Sequence, residues 1–77
     1  MLFFFDTDDG ERSTADAAGT DLRDADEAVE QAVSLLRDLS HAGVAVGASR
    51  TFSVQVRVAD GEAAYAASLQ LKVDRLA

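Results

Sequence analysis

The sequence predicts an α+β domain with the element order ββαββ, in which one helix packs on one face of a four-stranded antiparallel sheet. Three features support it: an aromatic segment before an Asp-Gly turn, one stretch of helical periodicity, and two alternating segments around a second Asp-Gly turn. The 77 residues predict a single domain over 1–77. Burial and chain entropy nearly cancel at this size, so we expect a marginal fold that self-association stabilises.

The first predicted element is a hairpin over residues 1–16. The segment Leu2 to Thr7 is rich in aromatic side chains and predicts a strand that is apolar on both faces. Asp8-Asp9-Gly10 is typical of a tight hairpin turn, because glycine tolerates a positive φ. The segment Glu11 to Ala15 is short and polar, which predicts a return strand at the edge of the sheet. A second turn at 16–19 leads toward the helix.

The predicted helix spans residues 24–42. Asp24 as N-cap, with Glu27 three residues later, is typical of a capping box. Gly43 supplies the left-handed residue that ends many helices. The apolar positions share one side of the helix, which we expect to face the sheet; they are Ala25, Ala28, Val29, Ala32, Val33, Leu35, Leu36 and Leu39.

The last predicted element is a second hairpin over residues 51–74, after a connection at 43–50. Its turn is Asp60-Gly61. Apolar side chains alternate with polar ones on both strands, so one face of the hairpin is expected to pack against the helix. The apolar positions are Phe52, Val54, Val56 and Val58, then Tyr65, Ala67, Leu69, Leu71 and Val73.

A helix that links the second strand to the third predicts the sheet order 2-1-3-4, with all neighbours antiparallel. The sheet face away from the helix is polar, except where the first strand crosses it. Either Phe3 with Phe5, or Leu2 with Phe4, is left uncovered there. Because a row of exposed aromatic side chains often marks an interface, we hypothesise that Phe3 and Phe5 contact a second copy or a partner. The alternative is that the N-terminal half or the 43–50 loop folds over them.

Composition excludes several classes of protein. The chain has no cysteine, which excludes disulfides and thiolate sites and favours a reducing, cytoplasmic location. The apolar opening is five residues long, too short for a signal peptide or a membrane span. The net charge is −7, and residues 1–30 hold ten acids and two bases. This charge disfavours nucleic acid and anionic membranes as partners, and an acidic half could attract a basic protein.

No group of residues predicts catalysis, a cofactor or a metal ion. The four acids between residues 6 and 11 do not fit a calcium loop, because Gly10 falls one position early and Ala17 stands where a glutamate is needed. His41 is the only histidine and lies on the polar helix side without an orienting partner. The Gly43–Gly47 segment lacks the Gly-Lys-Ser/Thr ending of a phosphate loop. We therefore expect a protein that is not an enzyme.

Short motifs follow one another in a defined order along the chain. They are Phe4-Phe5-Asp6 with Asp9-Gly10, then Asp16-Ala17-Ala18-Gly19, Leu22, Asp24 and Ala28, and finally the hairpin from Val54 to Leu71 around Asp60-Gly61. In this order and spacing the chain resembles a bacterial domain-of-unknown-function family, numbered 6894. The resemblance covers nearly the full chain and implies a small stand-alone protein with this layout. It implies no activity.

A second, weaker similarity concerns the helix start. Asp24-Ala25-Asp26-Glu27-Ala28 is similar to the corresponding segment of HicB-type antitoxins, which also carry an acidic Asp-Gly hairpin. The chain lacks their third strand before the helix and their C-terminal DNA-binding segment. The predicted function is association with a second copy, as a homodimer, or with another protein. The alternative is an antitoxin-like regulator that neutralises a basic partner through residues 1–30.

Overall fold

A computed structural model describes all residues from Met1 to Ala77. The chain is an α+β domain in which one helix packs on an antiparallel sheet, as the sequence predicted. The elements are β1 (Leu2–Asp8), β2 (Ser13–Thr14), β3 (Thr20–Asp21), α1 (Ala25–Leu39), β4 (Ser49–Val58) and β5 (Ala63–Lys72). A 3₁₀ helix, Ser40–Ala42, continues α1. No helix in the chain is both long enough and apolar enough to cross a membrane.

The sheet has five strands rather than the four that were predicted. Its order is β2-β1-β4-β5, and β3 also pairs with β1. Because β4 occupies one whole side of β1, β2 and β3 share the other side: β2 lies beside Thr7 and Asp8, and β3 beside Leu2 and Phe3. The predicted return strand, Glu11 to Ala15, is thus present in shortened form as β2, and β3 is a further short strand in the segment that leads to the helix.

The start and the end of α1 follow from local hydrogen bonds. The Asp24 carboxylate accepts the backbone N–H of Glu27 at 2.9 Å, as an N-cap does. The Glu27 carboxylate pairs instead with Arg23 Nε at 2.7 Å, so only one half of the predicted capping box forms. α1 and the 3₁₀ helix together occupy 25–42, and Gly43 follows with a φ of +72°.

The core lies between α1 and the strands β1 and β4. Its eight buried residues are Phe3, Phe5, Ala28, Ala32, Leu36, Phe52, Val54 and Val56. Small residues at 28 and 32 let α1 approach the sheet, and the large aromatic and β-branched side chains of the strands fill the layer below it. This solvent-excluded layer is thin, because only 8 of the 77 residues are buried.

The structure corrects the choice of Phe3 and Phe5 as contact residues. Both rings point toward α1 and are only 1% and 7% exposed. The cause is the register of β1, which pairs Phe3 with Val58 and Phe5 with Val56, on the sheet face that the helix covers. The other pair, Leu2 and Phe4, therefore lies on the uncovered face.

Two glycines with similar backbone angles provide a test of the packing around β1. Gly19 has a φ of +77°, and a Cβ there would lie 3.0 Å from side-chain atoms of Leu2 and Phe4. Gly47 has a φ of +83° and open space around it. We expect Gly19→Ala to lower the free energy of unfolding by about 2–4 kcal/mol, and Gly47→Ala by about 1–2 kcal/mol, because only the first adds crowding to strain. Urea unfolding measures both, and equal losses would contradict this packing.

Candidate interaction surface

An ion pair between β1 and β4 organises the outer face of the sheet. Arg57 Nε donates to Asp6 Oδ2 at 2.6 Å, and Arg57 Nη2 donates to the backbone carbonyl of Asp16 at 3.0 Å. Asp6 Oδ1 in turn accepts the backbone N–H of Asp16 at 2.9 Å. The Arg57 guanidinium lies 4.9 Å from the centre of the Phe4 ring, which places a cation over an aromatic face. These contacts hold the 15–19 segment against the sheet.

Asp16 fills the gap between β2 and β3. Its Oδ2 accepts the backbone N–H of Phe5 at 3.0 Å, at the point where β1 has no strand beside it. Its Oδ1 accepts the N–H groups of Ala18 and Gly19 at 3.1 and 3.0 Å. One carboxylate thus satisfies a strand donor and closes the following turn.

These hydrogen bonds favour the ionised form of the Asp6 and Asp16 carboxylates. The Arg57 guanidinium and the Asp16 N–H lower the pKa of Asp6. The N–H groups of Gly19 and Phe5 lower the pKa of Asp16. An acid–base catalyst works best with a pKa near the operating pH, so a lowered pKa suits a structural role.

A second arginine connects the hairpin turn to the end of the helix. Arg50 Nη2 lies 3.4 Å from Asp9 Oδ2, and Arg50 Nη1 donates to the Gly43 carbonyl at 3.3 Å. The guanidinium carbon lies 5.1 Å from the centre of the Phe52 ring. The N–H groups of Glu11 and Arg12 lower the pKa of Asp9. Arg50 therefore joins two loops that are distant in sequence.

Most carboxylates of the acidic N-terminal half have partners within the chain. Seven of the ten acids in residues 1–30 accept a hydrogen bond or form an ion pair: Asp6, Asp8, Asp9, Asp16, Asp21, Asp24 and Glu27. Glu11, Asp26 and Glu30 form no such contact. No group of three or more acidic, histidine or cysteine side chains is placed to hold a metal ion. The acidic half is therefore explained largely by turns, caps and ion pairs.

The outer edge of β5 is the longest unpaired strand edge in the molecule. β5 pairs with β4 on one side and with no strand on the other. Val73 N–H donates to the Ala48 carbonyl at 3.3 Å, so alternation along the ladder turns the backbone groups of Ala66, Ser68 and Gln70 away from β4. From Ala63 to Leu71 the strand carries no charged side chain. The edge thus offers free donors and acceptors in an uncharged setting.

Apolar side chains next to this edge are exposed. On β5, Tyr65 and Leu69 lie on the helix side but are 44% and 38% exposed, because α1 leaves this edge strand partly uncovered. Ala28 and Ala32 of α1 face the sheet, and in a right-handed helix that lies over β4 and runs antiparallel to it the following residues turn toward β5. Those residues are Val29 and Val33, which are 38% and 37% exposed. We call Val29, Val33, Tyr65 and Leu69 the β5 flank.

The sequence indicated the residues of the β5 flank but not their exposure. Alternation placed Tyr65 and Leu69 on the helix side, which made them predicted core residues. The predicted order 2-1-3-4 already placed the last strand at an edge, but their exposure depends on how far α1 extends over that strand, which the period of a strand does not show. The signal available in the sequence was the absence of charged residues from Ala63 to Leu71, in a strand predicted to lie at the edge of the sheet.

Comparison with known proteins identifies one family. The model of a family described as a domain of unknown function, DUF6894, matches residues 2–70. Neither the curated proteins nor the solved structures include a match to the chain. The match spans β1 to most of β5. It therefore includes the contacts among Asp6, Asp16 and Arg57, which we call the Asp16 network, and most of the unpaired edge of β5.

The Asp16 network predicts a specific loss of stability. We expect Asp16→Ala to lower the free energy of unfolding by about 2–3 kcal/mol, since the partly buried N–H of Phe5 loses its acceptor. Glu11→Ala removes the same charge from an exposed side chain and is expected to change stability by less than about 0.5 kcal/mol. Chemical unfolding of both variants measures the difference. Similar effects for the two would contradict the structural role of Asp16.

The lowered pKa values also predict how stability depends on pH. The pKa values of Asp6, Asp9 and Asp16 are lowered by folding, so the unfolded chain binds more protons in acid. Their contribution is complete above the ordinary aspartate pKa of about 3.9 and is lost as the pH falls through the lowered values. We expect the melting temperature to fall from about pH 5 toward pH 2. Asp16→Asn should flatten that fall relative to Glu11→Gln, and identical slopes would contradict the assignment.

Proposed function

The chain belongs to the DUF6894 family of domains of unknown function, and on that premise we propose that it is a non-enzymatic domain that acts by associating with a second copy of itself. The observation that carries the proposal is the exposed area. A folded chain of this mass is expected to expose about 4,500 Å², whereas this one exposes 5,239 Å². The excess, roughly 700 Å², is close to the ~800 Å² that each partner contributes to a standard interface.

The shape of the chain supports the same conclusion. Its radius of gyration is 14.1 Å, compared with about 11.5 Å for a compact domain of this length. The longest dimension is 50 Å and the shortest 16 Å. An elongated shape with a thin core leaves apolar side chains at the surface, among them the β5 flank. A second copy that covers those side chains adds the apolar burial that one chain lacks.

Charge opposes association between copies, so apolar contact has to supply the attraction. Each copy carries a net charge of −7. Salt screens repulsion between like charges and does little to apolar contact. The antitoxin-like alternative remains a prediction, and it would use Glu11, Asp26 and Glu30 to attract a basic protein. Salt weakens such an opposite-charge complex, so the two functions have opposite dependence on ionic strength.

Sedimentation of the purified full chain tests the proposal. Between about 1 and 100 μM we expect a reversible shift from the 8.1 kDa chain to twice that mass. The dissociation constant should fall several-fold when NaCl rises from 0.05 to 0.5 M, because repulsion is screened. Glu30→Gln, which removes one exposed charge, should tighten the dimer at low salt only. A monomer at every concentration contradicts self-association, and a dimer that salt dissociates contradicts its apolar origin.

A further inference from the structure

We propose that the second copy docks on the free edge of β5 by strand addition, so that the two sheets join into one continuous antiparallel sheet. This inference rests on the proposed self-association and specifies its interface. The bonds across the seam are backbone N–H to carbonyl bonds, which require no particular side chain. The β5 flanks of both copies then supply the apolar contact beside the seam.

The two edges of the sheet differ in how they are protected. On the β1 side, the strands β2 and β3 have two residues each, and Asp16 takes the intervening N–H of Phe5. On the β5 side, ten residues run without proline, and the only charge is Lys72 at the end of the strand. Natural monomers usually protect long edges with charges, proline or bulges. The one register shift of this hairpin leaves Ala64 of β5 as a bulge near the start of the strand, and the pairing from Tyr65 to Lys72 is regular.

Charge favours this edge for contact between copies of an acidic chain. Six of the fourteen acids lie between Asp6 and Asp21, on the opposite side of the sheet from β5. Docking through β5 therefore keeps these six acids of the two copies apart. Docking through the β1 side would bring them together within a Debye length of about 8 Å at physiological salt.

The register of the seam follows from which backbone groups point outward. Ala66, Ser68 and Gln70 offer donors and acceptors on the free side of β5. A two-fold axis at Ser68 pairs Ser68 with Ser68 of the second copy and Ala66 with Gln70 of the second copy. This register overlaps residues 65–71, most of the regular part of the strand, and each copy uses the same surface as the other.

The same two-fold axis brings the β5 flanks together. An axis perpendicular to the sheet keeps both α1 helices on the same face. Three strand spacings, about 14 Å in total, separate the two β4 strands across the seam. Val29 and Val33 of the two copies then face each other above Tyr65 and Leu69. The side chains that one chain leaves exposed thus form a second core layer along the seam.

A single cysteine tests the register, because the chain has none of its own. In a hydrogen-bonded antiparallel pair the two Cα atoms lie about 5.5 Å apart, within the range of a disulfide. We expect Ser68→Cys to form a covalent dimer under mild oxidation. Gln70→Cys is the matched control: it is exposed on the same strand and side, but in this register its Cα lies about 14 Å along the strands from its equivalent. Gln70→Cys should stay monomeric on a denaturing gel.

A proline at the same position tests the backbone bonds. The N–H of Ser68 points away from β4, so Ser68→Pro removes a seam donor and leaves the β4–β5 ladder intact. We expect a native circular dichroism spectrum and at least tenfold weaker dimerisation. If Ser68→Pro unfolds, the comparison of Ser68→Cys with Gln70→Cys alone tests strand addition. A dimer that lacks the Ser68→Cys disulfide, or forms it equally with Gln70→Cys, overturns strand addition but leaves self-association standing. A monomeric wild-type chain overturns both.

Discussion

The N–H group of Phe5 is the constraint around which the sheet is arranged. It lies on the outer side of β1, where a strand partner would normally accept it, and the Asp16 carboxylate accepts it instead. Asp16 can reach it because Asp6 and Arg57 hold the backbone of Asp16 from two sides. The same arrangement fixes β1 against β4 and delivers the chain to β3 and the start of α1. A side-chain acceptor thus replaces a length of strand.

This arrangement gives the acidic composition a physical explanation. A chain with 14 acids and 7 bases suggests an electrostatic function when only its charge is considered. In the folded chain, carboxylates cap the helix at Asp24, close the turn around Asp9 and satisfy Phe5 through Asp16. Each of these tasks needs a short acceptor beside backbone N–H groups, which aspartate provides. At these positions the need for a hydrogen-bond acceptor explains the aspartate, and the negative charge accompanies it.

Local patterns were sufficient for parts of this fold and insufficient for others. The helix from Asp24 to Gly43 and the hairpin around Asp60-Gly61 depend on periodicity and on turn residues, which a sequence displays directly. The split edge strand depends on a contact between Asp16 and Phe5, eleven residues apart, and no local pattern reports such a contact. β1 is apolar on both faces, so alternation could not decide whether Phe3 or Phe4 faced the helix. For the β5 flank, the composition and the edge position of the strand were predicted, but the extent to which α1 covers that strand was not.

The unequal edges of the sheet also determine how far assembly can proceed. Strand addition is hazardous when both edges accept a partner, because each added copy exposes a new acceptor and growth continues into a fibre. Here Asp16 lies between β2 and β3, and the edge of the sheet on this side of β1 is too short and irregular to receive another strand. A pair joined through β5 uses its only receptive edge and presents two terminated ends to solvent. The carboxylate that completes the fold of one chain would therefore also act as a stop against polymerisation.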